Sequence, residues 1–282
     1  MQIFKKEIPF NTKDKVITIR AAEAHILNPL HADREFDNFV EEQVADKNSY
    51  CIFPGDFIED DRPSTRLRRA GMFLDRREAW GLDDKQHMTY LDQKVIPMVK
   101  RMAPRCLGML DGDHFKMYST GLTSTQYICM KAGIPYLGER GCWMHLLFTA
   151  PWKSEKAYNL LFKLVVVHGN GAGQTYGADV NKLNSLLETY VGADLIIAGH
   201  THKLDQVKNT GIDTNKNGTE MVFKTRGAFR CGSFLKSVVS GDTSYAERAG
   251  YRPLPIGYGS ARLHFSRNHN GAYDISKLEI VT

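Results

Sequence analysis

The chain has 282 residues, of which 42% are hydrophobic and 24% are charged, values that predict a folded protein with a sizeable core and exclude an intrinsically disordered one. The formal net charge of +5 is mild, so it permits an anionic substrate without requiring nucleic acid. The 5 cysteines form no Cys-x-x-Cys motif, and the sequence shows neither an apolar leader nor an apolar run of membrane-spanning length. We therefore expect a reduced, cytoplasmic protein with no membrane partner.

Apolar periodicity predicts that strands and helices alternate along most of the chain. The predicted strands are residues 15–20, 49–53, 105–110, 142–149, 160–167 and 195–198. The predicted helices are residues 33–47, 62–80, 86–102, 123–132 and 178–190, and the third is expected to be interrupted or bent near Pro97. Strands 142–149 and 160–167 are expected to pair. This alternation predicts an α/β fold.

The chain beyond residue 205 is predicted to be rich in β-structure. The dipeptide Asn217-Gly218 lies between β-prone runs at 204–207 and 220–225, which indicates a hairpin turn. A second hairpin is predicted to join residues 261–265 to 273–281. We therefore expect a single domain over residues 1–282, with a β-rich C-terminal extension after about residue 205.

A pair of histidines follows the last predicted core strand. Residues 195–198 are an apolar run typical of a buried strand, Gly199 permits a sharp turn, and His200 and His202 come next. The carboxyl ends of strands are where ligands bind in open α/β sheets, and neutral imidazole is the commonest metal-ligating side chain. The motif thus predicts a metal site, whereas on its own it is equally compatible with a polar loop.

Polar residues follow four other predicted strands in the same way. The motifs are Glu23-x-His25, Gly55-Asp56, Gly112-Asp113-His114 and His168-Gly169. All of these side chains offer oxygen or nitrogen donors and none is a thiol, a set that suits divalent ions such as Mn, Fe or Zn. Together with the histidine pair they give seven candidate ligands besides His114, which is too many for one ion and suits two.

In this order and context, the motifs resemble those of the calcineurin-like metallophosphoesterase superfamily, whose pattern is Asp-x-His, Gly-Asp, Gly-Asn-His, His and Gly-His-x-His. The resemblance covers roughly residues 15–205. It implies a four-layer α/β/β/α sandwich of two mixed sheets flanked by helices. It also implies two divalent metal ions, with Mn foremost and Fe, Zn, Ni or Mg as alternatives.

The resemblance also assigns roles to individual residues. One ion would be held by Glu23, His25, Asp56 and His202. The other would be held by Asp56, Asp113, His168 and His200, so that Asp56 bridges the two ions. The imidazole of His114 would protonate the leaving oxygen of the substrate.

The implied activity is that of a dinuclear phosphoesterase, which hydrolyses a phosphomonoester or phosphodiester by metal-activated hydroxide attack. A nucleotide or nucleic acid is a conceivable substrate, and a metal-dependent DNA nuclease is the alternative enzyme. A non-catalytic protein-binding scaffold on the same fold is the alternative from another class. The oligomeric state is left open, because the sequence carries no signal for it.

Two further stretches supply weaker hypotheses. Arg62, Arg66 and Arg69 share one side of the predicted helix at 62–80, where they could hold substrate anions or form a solvated face. Residues 234–258 resemble a tail of phage and prophage members of the superfamily.

The chain departs from the family pattern at three positions. Glu23 stands where the family has Asp, and Asp113 stands where it has Asn. The extra carboxylate of Asp113 is expected to make the metal pair less positive and to favour oxygen-loving ions such as Mn. Phe115 follows His114 where the family often has an acidic residue, which leaves Asp111 as a candidate to orient His114.

Overall fold

The computed structural model describes residues 1–9, 15–59, 82–150, 158–171, 175–214, 217–238, 252–267 and 273–282. The strands are β1 (Gln2–Pro9), β2 (Val16–Ala21), β3 (Ser49–Phe53), β4 (Cys106–Met109), β5 (Gly141–Ala150), β6 (Tyr158–Val167), β7 (Leu195–Ala198), β8 (Gln206–Thr214), β9 (Met221–Arg230), β10 (Gly259–Arg267) and β11 (Tyr273–Val281). The α-helices are α1 (Asp33–Ala45), α2 (Asp84–Lys94), α3 (Ile96–Met102), α4 (Ser124–Ala132) and α5 (Tyr176–Thr189).

These strands form two mixed sheets. One sheet has six strands in the order β1-β5-β6-β7-β9-β8, and the other has five in the order β11-β10-β2-β3-β4. Apolar side chains from both sheets share one buried cluster, which includes Ile19 and Ile52 from the smaller sheet and Leu164 and Ile197 from the larger. The sheets therefore pack face to face around a common core.

Helices cover the outer face of each sheet. Phe36 and Phe39 of α1 share a cluster with residues of α2, α3, α4 and the five-stranded sheet. On the other side, Leu183 and Leu187 of α5 pack against β6, β7 and β9. The layers are thus helix, sheet, sheet and helix, which confirms the predicted α/β/β/α sandwich.

Strand direction explains where a site can form. Strands β2, β3 and β4 run parallel in one sheet, and β6, β7 and β9 run parallel in the other. All the motifs singled out in the sequence follow the carboxyl ends of five of these strands. Because these strand ends meet at one edge of the sandwich, residues far apart in the sequence are brought together there.

The helix boundaries follow local sequence signals. The helix predicted at 86–102 is two helices separated at Val95, and Pro97 lies in the first turn of the second. Proline is tolerated there because the first backbone N–H groups of a helix have no intrahelical partner. Helix α4 begins with a capping box between Thr123 and Gln126 and ends at Gly133, which has a φ of 72°.

The residues beyond 205 contribute strands to both sheets. Strand β9 pairs with β7, and β10 pairs with β2, so both lie inside a sheet. The segment after β9 also reaches the loop after β2, since the backbone N–H of Phe234 donates to the carbonyl of Glu23 (3.0 Å). Strand β1 has no counterpart among the predicted strands; it pairs with β5 at the edge of the larger sheet, where most of its residues are exposed.

The basic helix predicted at 62–80 lies outside the described residues, as does most of the phage-like segment at 234–258. Among the helices that the structure describes, none is both long and apolar enough to cross a membrane.

Candidate metal centre

The loops that carry the candidate ligands have unusual backbone conformations. Positive φ angles occur at His25 (51°), Asp56 (50°), His200 (74°) and His202 (56°). This region is uncommon for residues other than glycine, and such residues cluster at functional sites where the surrounding structure holds them in place. Each of these residues lies just after a strand, so the strained turns aim their side chains at one edge of the sheets.

Two glycines allow the loops to approach the acidic side chains closely. A Cβ atom at Gly199 would collide with Oε1 of Glu23, and one at Gly112, where φ is +81°, would collide with Oδ1 of Asp56. Both glycines are therefore needed for space, and Gly112 is needed for its positive φ as well.

The first group of donors consists of Glu23, His25 and His202. Oε2 of Glu23 lies 3.4 Å from Nε2 of His202 and 4.0 Å from Nε2 of His25. These separations match those between ligands that share one ion at about 2.1 Å from each. The three side chains can therefore hold one cation.

Two buried atoms in this group lack a hydrogen-bond partner among the residues that the structure describes. These atoms are Oε2 of Glu23 and Nε2 of His25, although buried polar atoms are nearly always paired. The opposite nitrogen of His25, Nδ1, lies 2.8 Å from Oε2 of Glu59. A carboxylate at one imidazole nitrogen commonly directs the other nitrogen to a metal. The residues thus fit a divalent cation.

The second group consists of Asp113, His168 and His200. Oδ2 of Asp113 lies 3.0 Å from Nδ1 of His200 and 3.2 Å from Nε2 of His168, and those two nitrogens are 3.3 Å apart. Nδ1 of His168 lies 3.1 Å from the carbonyl oxygen of Pro54, which accepts its proton and leaves Nε2 facing the group. These donors can hold another cation.

The two carboxylate oxygens of Asp56 have different partners, one in the backbone and the other among the candidate ligands. Oδ1 accepts hydrogen bonds from the backbone N–H groups of Asp113 (2.6 Å) and His114 (3.0 Å). Oδ2 lies 3.3 Å from Nε2 of His168, and Asp56, His168 and Glu23 form a further set of donors close enough to share an ion. Asp56 therefore adjoins the second group and, through Glu23, the first.

The charges of the site shift its pKa values in ways that bear on metal binding. Burial would raise the pKa of Asp56, but hydrogen bonding with His168 and the nearby imidazoles hold this pKa well below its usual range. Burial would likewise lower the pKa of His168, but Asp56 and Glu23 raise it to about 11. Burial and His25 lower the pKa of His202 to about 4, so this imidazole is neutral and able to ligate near pH 7.

His114 lies beside these groups rather than within them. Its Nε2 is 3.9 Å from Oδ2 of Asp56, and 31% of its side chain is exposed. Its Nδ1 is 3.5 Å from Oε1 of Glu59, which also contacts His25. Glu59 is therefore placed to orient His114, the role for which the sequence had suggested Asp111.

Asp111 is engaged elsewhere. Its two oxygens accept hydrogen bonds from the hydroxyls of Thr123 (2.7 Å) and Tyr136 (2.5 Å). Asp111, which the sequence offered as a candidate to orient His114, thus directs both oxygens to other side chains. The sequence offered one signal for Glu59, namely a second acidic residue three positions after Asp56.

Charged residues outside the motifs also support the site. Arg140, just before β5, forms an ion pair with Asp113. Nη1 of Arg230 donates to the hydroxyl of Thr201 (2.8 Å), which lies between the candidate ligands His200 and His202, while Lys203 forms an ion pair with the buried Asp179. These contacts anchor the loop after β7. Arg62, Arg66 and Arg69 lie outside the described residues, so their role in substrate binding stays a prediction.

No protein-family model matches the chain, and no curated protein matches its sequence. Among solved structures, one similar chain is a conserved uncharacterized protein from Streptococcus pneumoniae TIGR4, a predicted phosphoesterase, with 11% identity, a TM-score of 0.31, and coverage of 94% of this chain and 97% of that one. Another is GAP50, the anchor in the inner membrane complex of Plasmodium, with 12% identity, a TM-score of 0.38, and coverage of 94% and 88%. Similarity at this level does not assign an activity.

Proposed function

We propose that the chain is a phosphoesterase that depends on two divalent cations, with Mn²⁺ as the best-suited ion, and that it hydrolyses a phosphomonoester or phosphodiester. The observation that carries this proposal is the convergence of the first group, the second group and Asp56 at one edge of the two sheets. The unpaired Oε2 of Glu23 and Nε2 of His25 support it further, because a cation would satisfy both atoms.

The donor set suits the proposed cofactor. The first group would hold one cation, the second group would hold the other, and Asp56 would bridge them. When bound, two such cations would supply a water of lowered pKa and would stabilise charge on the phosphoryl oxygens. Carboxylate and imidazole donors without thiols favour Mn²⁺ over softer ions.

The proposed general acid is His114. Its partly exposed imidazole can meet a substrate, and its ring nitrogens lie 3.9 Å from Oδ2 of Asp56 and 3.5 Å from Oε1 of Glu59. As water attacks phosphorus and the ester P–O bond breaks, the proton on Nε2 of His114 would pass to the leaving oxygen. Glu59 contacts Nδ1 of both His114 and His25, and it would therefore hold His114 in a fixed position relative to the first group.

A combined binding and activity experiment tests the proposal. Protein stripped with a chelator is titrated with Mn²⁺ and then assayed against phosphomonoesters, phosphodiesters, nucleotides and DNA. We expect close to two Mn²⁺ per chain and Mn²⁺-dependent hydrolysis of at least one of these classes. Protein that takes up no metal in excess Mn²⁺ would exclude the dinuclear site. Metal uptake without hydrolysis of any class would instead favour a non-catalytic role.

A further inference from the structure

The ion pair between Asp113 and Arg140 adds to the difference between this chain and the family pattern at position 113. The family's ligand at the position of Asp113 is a neutral Asn, so the carboxylate brings an extra negative charge to the second group. The guanidinium of Arg140 forms an ion pair with Oδ1 of that same carboxylate. An extra charge and a counter-charge therefore occur together.

The two oxygens of Asp113 face different partners. Oδ2 faces His168 and His200, 3.2 and 3.0 Å from their ring nitrogens, on the side where a cation would bind. Oδ1 faces Arg140. The carboxylate thus offers the second group one oxygen, as the amide oxygen of an Asn would, while its other oxygen is held by a fixed positive charge.

The backbone at Arg140 is hydrogen-bonded to loops that carry candidate ligands. Its carbonyl oxygen accepts a hydrogen bond from the backbone N–H of His168 (2.9 Å). The carbonyl of the preceding residue, Glu139, accepts one from Gly112 (3.2 Å), next to Asp113. Arg140 lies there because β5 runs antiparallel to β6. The start of β5 is therefore next to the end of β6, which His168 follows.

We propose that Arg140 is a charge-compensating residue that makes Asp113 act as a nearly neutral ligand toward the second divalent cation. This inference rests on the proposed two-metal function. It revises the expectation that the third carboxylate makes the metal pair less positive, because the guanidinium returns the lost positive charge. The pair Asp113–Arg140 would then be equivalent in charge to the family's Asn.

The size of the effect follows from Coulomb's law. A divalent cation on one oxygen of a carboxylate and a guanidinium on the other are on the order of 6 Å apart, and in a water-like dielectric their repulsion is worth about tenfold in a binding constant. The water-like value is appropriate because 54% of the Arg140 side chain and 30% of the Asp113 side chain are exposed. Salt should weaken the effect for the same reason.

The test is a Mn²⁺ titration of the full chain by calorimetry or electron paramagnetic resonance, with Mn²⁺ alone as the probe. The variant His200→Gln identifies which binding step belongs to the second group. In that step we expect R140M to bind about tenfold more tightly than the parent at low salt, and D113N about tenfold more weakly. The double variant D113N/R140M should return to within about threefold of the parent.

Three controls separate charge from structure. R140K keeps the charge and should stay within about threefold of the parent. R101M removes another half-exposed arginine, which lies near the end of α3 and pairs with Glu41 of α1, and it should leave Mn²⁺ affinity unchanged. In about 0.5 M salt the gain of R140M should shrink to a few-fold, since screening lengths there are only about 4 Å.

The possible failures are distinguishable. If R140M binds Mn²⁺ as the parent does, or more weakly, Arg140 does not compensate Asp113 and the inference is wrong while the two-metal function stands. If R140K behaves like R140M, the forked geometry of arginine matters rather than its charge, which also overturns the inference. If the parent itself binds no Mn²⁺, the proposed function fails and this inference fails with it.

Discussion

Replacement of Asp56 by Asn gives the sharpest test of the proposed bridge, because the structure dictates how the new side chain must orient. Two backbone N–H groups donate to Oδ1 of Asp56, so an amide oxygen must occupy that position. The amide NH₂ then occupies the position of Oδ2, 3.3 Å from Nε2 of His168. It would point hydrogen-bond donors at the place where a cation needs a lone pair. Asp56→Asn should therefore preserve the loop and abolish binding at both sites.

The expected magnitude can be stated as a shift in melting temperature. Mn²⁺ at a hundredfold excess over the dissociation constant of each site adds about 2.7 kcal/mol per site to the free energy of unfolding, or about 5 kcal/mol for two sites. At about 2 °C per kcal/mol for a chain of this size, the parent should melt about 10 °C higher with Mn²⁺ than without it. Asp56→Asn should show almost no Mn²⁺-dependent shift.

The matched control is Asp111→Asn, measured by the same thermal scans and by elemental analysis. Asp111 is as buried as Asp56, and its backbone carbonyl accepts a hydrogen bond from the N–H of Asp56 (3.1 Å), but its side-chain oxygens accept from Thr123 and Tyr136. This variant should keep the full Mn²⁺-dependent shift and two bound ions. A full shift in Asp56→Asn, or loss of the shift in Asp111→Asn, would show that the ligand assignment is wrong.

Two further predictions concern protons. His114→Ala should keep both Mn²⁺ ions but slow hydrolysis by roughly 10²–10⁴-fold, less for nitrophenyl esters, whose leaving groups need little protonation; equal losses for good and poor leaving groups would contradict the role of acid. Because carboxylates raise the pKa of His168 to about 11 in the metal-free protein, its imidazole is protonated at pH 7.5, and a cation must displace that proton to bind Nε2. Calorimetry in buffers of different ionisation enthalpy should therefore detect about one proton released as Mn²⁺ binds, and affinity should fall as the pH is lowered; binding without proton release would place His168 outside the ligand set.

Much of the fold could be predicted because periodicity and turn signals act locally. The buried runs that became β3 and β7 were predicted with their exact bounds, since each is a short apolar segment ending at a glycine or proline turn. Strand β1 carries no such signal. Its exposed residues alternate weakly, and the strand is fixed by pairing with β5. Pairing across more than a hundred residues is a tertiary effect that a local pattern does not contain.

The same contrast between local sequence signals and tertiary contacts applies to the site. The motif residues could be predicted because each follows a strand end, and parallel strands bring those ends together. Glu59 and Arg140 could not, because their roles depend on distances between separate loops. Glu59 becomes relevant only when the loop after β3 meets His25, and Arg140 only when β5 begins beside His168. An acidic residue or an arginine in a loop is otherwise an ordinary surface residue.

The backbone of the site bears on the choice between an enzyme and a protein-binding scaffold. Left-handed conformations at non-glycine residues cost on the order of 1–3 kcal/mol each, and four candidate ligands have them. The unpaired Oε2 of Glu23 and Nε2 of His25 add a further cost of burial. A scaffold gains nothing from either feature, because neither atom lies on a surface that a partner protein could reach. A cation between these donors would offset both costs by supplying the missing partner. The strain thus lies where a metal would bind, and this favours a metal-dependent function over a scaffold.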